Sequence, residues 1–216
     1  TRDRLTPAMA TYAVTQMRDL AAFLERVCRR RLSAEKLRSV VEQSNQAVSL
    51  WAEIHELCKA HPSPLNVPEL FVNMAPIVVL RGTASATRFY RHLRDEVAER
   101  VQDGTGAVGE ERYRLLWDNI AIWHHLYRLF SYFAERGACF VADTYTSAWS
   151  AQIPQGDLLE GLAETYAKVY LNRSLQYRAR RMIEMIQAYD VAGFVMHSNR
   201  SCKPYSLGQV EIRRQI

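Results

Sequence analysis

The glycine-rich stretch "DGTGAVGEE", Asp103 to Glu111, separates two halves of the chain whose hydrophobic residues recur with different periods. Before it the pattern is helical. Leu37, Val40, Val41, Val48, Trp51, Ile54 and Cys58 stand on one helical face, and Ser33 sits where a cap belongs, so a long amphipathic helix is predicted behind it. The three prolines of "HPSPLNVP" end that helix, and another is predicted from Ala84 to Val101. After the glycines, short apolar runs alternate with helical ones. "RYRLLW" (Arg112 to Trp117), "ACFVAD" (Ala138 to Asp143) and "AGFVMH" (Ala192 to His197) read as buried strands. Helices are predicted between and beside them at Trp123 to Arg136, Leu158 to Tyr170 and Gln176 to Tyr189.

Strand, helix, strand, helix, strand implies a parallel sheet with right-handed crossovers. The predicted fold class is therefore α/β: a helical region at residues 1–104, then at 105–216 a Rossmann-like parallel sheet of three strands flanked by helices. The chain opens on Thr1 and stops at "EIRRQI" inside a predicted helix, so it reads as an excised piece whose sheet domain is truncated at its C-terminal end. No GxGxxG follows the first strand, which removes the dinucleotide fingerprint.

Composition narrows the chemistry. At 216 residues and 48% hydrophobic, the chain can bury a sizeable core. Its longest apolar run, "APIVVL", falls far short of the roughly 20 residues of a membrane span, so a soluble protein without a membrane partner is expected. Four cysteines (Cys28, Cys58, Cys139, Cys202) show no short pairing, which fits a reducing cytoplasm better than a disulfide framework. Cys28, Cys58 and Cys139 read as small buried hydrophobes. The net charge of +5 suits an acidic small ligand such as a phosphate-bearing coenzyme as well as it suits a nucleic acid. The run Arg29 to Arg31 reads as a solvated helix end, and the helix carrying Arg178, Arg180 and Arg181 as a solvated face or a contact for coenzyme phosphates; no nucleic-acid partner is expected.

Ligands of open parallel sheets bind outside the carboxyl ends of the strands. Three loops qualify: "DNIAIW" with Asn119 and Trp123, "DTYTSAW" with Tyr145 and Trp149, and "HSNRSCKPYS" with His197, Ser198, Asn199, Arg200 and Cys202. For the tryptophans, packing under a helix competes with ligand contact. Ser206 and Gln209 form an S-x-x-Q pattern, predicting a helix from Leu207 whose positive end faces the cysteine. With Arg200 and Lys203 beside it, the Cys202 thiol is expected to have a lowered pKa. Metal or cluster ligation, nucleophilic attack and an idle loop thiol all remain open for it. No CxxC or His pair lies nearby, so a self-contained metal site is not expected.

The stretch "FVMHSNRSCKPYSLGQVEIRRQ" resembles the cysteine loop of the 2-hydroxyacyl-CoA dehydratase and benzoyl-CoA reductase family. "LERVCRRRLSAEKLRSVVEQSN" is similar to that family's helical connector, and "HPSPLNVPELF" with "RGTASATRFYRHLRDEVAER" to its middle region. "RYRLLWDNIAIW", "DTYTSAW" and "VYLNRSL" follow in the family's order, and the "NRSCK" core looks more like the dehydratase branch than the reductase branch. The resemblance implies an internal portion of one subunit of a two-subunit, oxygen-sensitive enzyme. Each subunit would hold a [4Fe–4S] cluster by three cysteines, and an ATP-hydrolysing activator protein would deliver one electron to an acyl-CoA substrate. In the dehydratases a ketyl radical then expels the hydroxyl group to give an enoyl-CoA; in the reductases an aromatic acyl-CoA ring is reduced. Cys202 falls at the last of the three cluster cysteines; from their place in the three loops, Asn119, Trp123, Tyr145, Trp149, His197, Ser198, Asn199 and Arg200 are expected to contact the substrate. The other two cluster cysteines would precede Thr1, so the piece alone is expected to hold its cluster weakly or not at all. A non-catalytic acyl-CoA-binding module is the reading from another class.

Overall fold

The computed structural model describes residues 6–216; the first five residues of the predicted helical region lie outside them. Helix α1 (Pro7–Cys28) has Thr6 as its cap and ends on Arg29 in the left-handed region. It buries only Val14 and leaves Leu20, Phe23, Leu24 and Val27 exposed along one stripe. Cys28, expected inside, is exposed, because among the described residues no layer packs over the end of α1. Helix α2 (Ala34–Leu57) starts where predicted, with Ser33 Oγ accepting from the Lys36 amide. Its face of Ala47, Val48, Trp51 and Ile54 is fully buried, and Trp51 stacks 5.3 Å from Tyr90. Tyr90 belongs to α5 (Ala84–Gln102), which follows the short α3 (Val67–Asn73) and α4 (Ala75–Val79). Asn66 and Glu69 form a reciprocal capping box at the start of α3, which is how the chain leaves the proline segment.

The sheet consists of β1 (Tyr113–Asp118), β2 (Ala138–Asp143) and β3 (Gly193–Met196), in the order β2-β1-β3 with both pairings parallel. The fold is thus the predicted α/β class, a helical layer followed by a parallel sheet flanked by helices. Crossovers run through α6 (Leu126–Ala134) and then through α7 (Leu158–Ala167) and α8 (Leu175–Ala188). Two predicted helices are interrupted: Trp123–His125 is a 3-10 turn before α6, and α7 stops at Ala167 ahead of a second 3-10 turn at Tyr170–Asn172. All six residues of β2 are buried, as a strand covered on both faces requires. One hydrophobic core runs from Trp51 and Ile54 through Phe71 to Trp117, Phe140 and Met182, so the helical layer and the sheet share it.

Arg114, near the start of the central strand, fastens that layer to the sheet. Its guanidinium donates to the carbonyls of Ala60 (2.9 Å), Cys58 (3.2 Å) and Lys59 (3.4 Å), which close the end of α2. It also donates to the Tyr189 carbonyl after α8 (2.8 Å) and pairs with Glu111 at 2.5 Å, both side chains being almost wholly buried. A helix C-terminus is a favourable place for a cation, and a buried pair is costly to break once formed. Replacing Arg114 by Met is therefore expected to lower stability by about 3–5 kcal/mol in urea unfolding, because Glu111 and four carbonyls lose their donor. A loss below about 1 kcal/mol would show that the layers hold without the clamp.

Candidate functional site

The parallel order puts the carboxyl ends of all three strands on one edge, and the side chains there are polar and buried. Asp118, the last residue of β1, is fully buried. Its carboxylate accepts from Thr144 Oγ1 (2.8 Å), beyond β2, and from Gln209 Nε2 (2.9 Å), on α10 (Gln209–Arg213). Burial pushes its pKa above the usual carboxylate value, while the Gln209 and Thr144 bonds and the charge of Arg178 oppose that rise. Asn119 follows with φ 91°, and its amide Nδ2 donates to the His197 carbonyl (2.7 Å) and Ser206 Oγ (3.1 Å). Its backbone N–H donates to Thr144 Oγ1 (3.1 Å). The three loops predicted to converge do converge here.

Cys202 lies in the third loop, directly before the one-turn helix α9 (Lys203–Ser206), and is half-buried. The loop is held from several sides. His197 Nδ1 donates to the Ile120 carbonyl (2.9 Å), Gln209 Nε2 to the His197 carbonyl (3.1 Å), and Tyr205 Oη to the Thr144 carbonyl (2.8 Å). Ser201 N–H donates to Asn199 Oδ1, and the Cys202 N–H to the Asn199 carbonyl, which turns the chain at "NRSC". Arg178, buried in α8, donates to the carbonyls of Tyr205 (2.7 Å), Pro204 (3.3 Å) and Leu207 (3.3 Å). The expected solvated or coenzyme-facing arginine is instead the support beneath the cysteine loop; Arg180 is exposed.

The S-x-x-Q capping box is not formed. Gly208, at φ 82°, separates α9 from α10, so Ser206 ends one helix and donates to the Asn199 carbonyl, while Gln209 opens the next and reaches Asp118. The left-handed conformation breaks the helix there and favours glycine, and a Cβ on Gly208 would lie 2.3 Å from Leu175.

The predicted site residues divide by placement. Asn119 is fully buried, its side chain committed to the loop bonds above. His197 stacks 5.7 Å from the Trp117 ring with its Nδ1 engaged, while Asn199 serves the turn. Ser198 and Arg200 are exposed on the loop, and Trp123 is exposed near Phe71. Tyr145 and Trp149 stand together on the wall of a cavity of about 460 Å³ between α2 and α7, which Tyr205 of the third loop also lines, its ring 6.3 Å from that of Tyr145. Asp118, Arg178 and Gln209 were missed as supports; only their placement in space reveals that role.

Behind the second loop lies a buried chain of polar groups. Asp143, fully buried, accepts from the N–H groups of Tyr145 and Thr146 and from Thr146 Oγ1, and Thr146 Oγ1 meets His55 Nε2 at 3.4 Å. Burial pushes Asp143 up to about 6, and burial followed by the charge of Arg181 pushes His55 down to about 4.

As for metals, among the described residues no three His, Cys, Asp or Glu side chains converge on a common point. Cys58 and Cys139 are buried at the end of α2 and within β2, and Cys28 is exposed on α1, so none joins Cys202. This donor set fits one ligand position of an iron–sulfur cluster completed by thiolates from elsewhere; it does not fit a self-contained cluster.

A parallel α/β sheet with a partly buried cysteine pinned at its carboxyl edge defines a class of domain, and sequence comparison places it more closely. The family described as 2-hydroxyglutaryl-CoA dehydratase, D-component, matches residues 3–216, and the chain belongs to that family. It is 32% identical to the lactoyl-CoA dehydratase alpha subunit of Anaerotignum propionicum, over 93% of this chain and 48% of the relative. It is 28% identical to the (R)-2-hydroxyisocaproyl-CoA dehydratase alpha subunit of Clostridioides difficile (99% and 52%) and 26% identical to one of the benzoyl-CoA reductase subunits of Thauera aromatica (99% and 52%). The chain spans about half the length of the curated relatives it matches.

Two measurements check this chemistry. Neutral His55 contributes stability that is complete above pH 6.5 and lost as the pH falls toward 4, whereas Asp143 contributes stability that is lost as the pH rises from 3.8 to about 6. The two slopes oppose each other in that window. Asp143→Asn is expected to remove the second, so raising the pH from 4 to 6 should stabilise the variant by about 2 kcal/mol more than the wild type. Parallel stability curves would show that Asp143 does not titrate there. Separately, iodoacetamide on the folded protein is expected to label Cys28 and Cys202 and to spare Cys58, whose thiol burial pushes up to about 12, and Cys139, pushed up likewise. Tryptic mass spectra read the outcome, and labelling of Cys58 or Cys139 as fast as Cys202 would contradict the packing.

Proposed function

We propose that this chain is the part of a 2-hydroxyacyl-CoA dehydratase subunit that presents Cys202 as one thiolate ligand of a [4Fe–4S] cluster, the remaining thiolates coming from outside these residues. The observation that carries the reading is the cysteine loop itself. A loop thiol with no task needs no support from Asn119, Gln209, Tyr205 and a buried Arg178, and four such supports favour a thiol whose position matters. Held in part by Cys202, such a cluster would supply one-electron chemistry toward a CoA thioester. This chain's own residues hold the loop in place and orient the His197 ring through its Nδ1 bond to the Ile120 carbonyl.

The reaction is read as loss of water from an (R)-2-hydroxyacyl-CoA to give an enoyl-CoA, after an ATP-hydrolysing activator protein supplies one electron. Relatives named as dehydratase alpha subunits support it, as does the "NRSCK" loop. Ring reduction of an aromatic acyl-CoA is the second reading, favoured by the likeness to a benzoyl-CoA reductase. The naming of these relatives as subunits and the exposed apolar stripe of α1 support assembly with a homologous partner. Among the described residues no helix is long and apolar enough to cross a membrane, and the unpaired cysteines support a cytoplasmic setting.

The test uses the complete subunit, prepared anaerobically with its partner and activator. Cys202→Ala is expected to lose the iron content tied to this subunit and the conversion of 2-hydroxyacyl-CoA to enoyl-CoA. Cys28→Ala is expected to keep both. Unchanged iron in Cys202→Ala would sink the ligand assignment, and turnover of benzoyl-CoA in place of the hydroxyacyl ester would select the second reading.

A further inference from the structure

The cavity between α2 and α7 has a composition that the cysteine loop does not explain. Its walls are Leu37, Val40, Ile153, Leu162, Val169 and neighbouring apolar side chains, and the one charged group among its lining residues is Arg81. Arg81 is half-buried. Its Nε donates to Ser44 Oγ (2.8 Å) and its Nη2 to the Ala151 carbonyl (3.2 Å), both neutral acceptors. No carboxylate pairs with it among the described residues, and Nη1 makes no hydrogen bond to the protein there. Those two bonds hold the guanidinium, and the backbone beside it runs close to the wall: Gly82 follows at φ 79°, where a Cβ would sit 2.5 Å from Val40.

An unpaired cation against an apolar surface is costly, and that cost falls when an anion arrives with its own apolar body to fill the space. Guanidinium matches carboxylate geometry, with two parallel N–H groups for two oxygens. A phosphate dianion fits less well, because the lining offers no second cation. At about 460 Å³ the cavity lies within the range of small-molecule sites.

We propose that this cavity binds an organic monocarboxylate with an aryl or branched aliphatic body, its carboxylate on Arg81 and its body among Leu37, Val40, Leu162 and Trp149. The site stands apart from the reading of Cys202, since it needs neither the cluster nor a thioester. It does meet the cysteine loop through Tyr205, which lines the cavity and lies three residues beyond Cys202, so occupancy is in contact with α9.

Calorimetric titration of the intact protein with 3-phenylpropionate and 4-methylpentanoate, each against its uncharged amide, tests this. The acids are expected to bind roughly tenfold or more tightly than the amides. Arg81→Met, checked for native circular dichroism, is expected to erase the difference between acid and amide. Should that variant not fold, the acid–amide comparison on the wild type decides alone. Equal binding of acid and amide, no binding of either acid at millimolar concentration, or a folded Arg81→Met that retains the preference would each overturn the proposal.

Discussion

Asp118 is a carboxylate with no exposure to water, at the point where the central strand ends, and the edge of the sheet is organised around keeping it satisfied. Burying a carboxylate costs several kcal/mol unless hydrogen bonds replace its hydration. Two donors do so, one from the loop after β2 and one from the helix after β3. Each bond therefore ties a neighbouring strand's loop to β1. Asn119 adds the complementary half: its amide donates to the β3 loop, while its backbone N–H reaches the β2 loop. The position of Cys202 follows from these bonds, since the loop that carries it hangs between His197 and Ser206, both held by Asn119.

At the other end of the same strand, Arg114 closes the end of α2 and of α8 onto the sheet. The central strand thus bears two polar anchors, one fixing the helical layer and one fixing the loops. Between them the sheet is packed by the buried side chains of Leu116, Trp117 and Phe140. The buried His55, Thr146 and Asp143 join α2 to the β2 loop by a third polar link. An apolar core and three polar fasteners explain how a layer of helices and a small sheet present one well-defined edge.

Much of this was legible in the sequence. The change of hydrophobic period at the glycine stretch, the Ser33 cap and the three apolar runs fix the elements because local propensity and tertiary burial agree there. The parallel order then places the three loops at one edge without further information. The supports of the cysteine loop were not legible. Gln209 has the spacing of a capping residue, and only the left-handed Gly208 decides that the helix breaks before it. Arg178 sits in a basic helix that looks solvated, since sequence does not tell which arginine faces inward. Cys28 has the period of a core residue, yet among the described residues nothing packs over that end of α1.

Amide hydrogen exchange read by mass spectrometry, comparing the wild type with Asn119→Gly, tests most directly whether the end of β1 positions the cysteine loop. Glycine accepts the φ of 91° without strain, so the substitution removes the side-chain bonds and little else. Peptides covering residues 197–207 are expected to exchange much faster in the variant, while those of β1 and β2 keep their protection. Unchanged protection of the 197–207 segment would show that Cys202 is placed by something other than the buried polar end of the central strand.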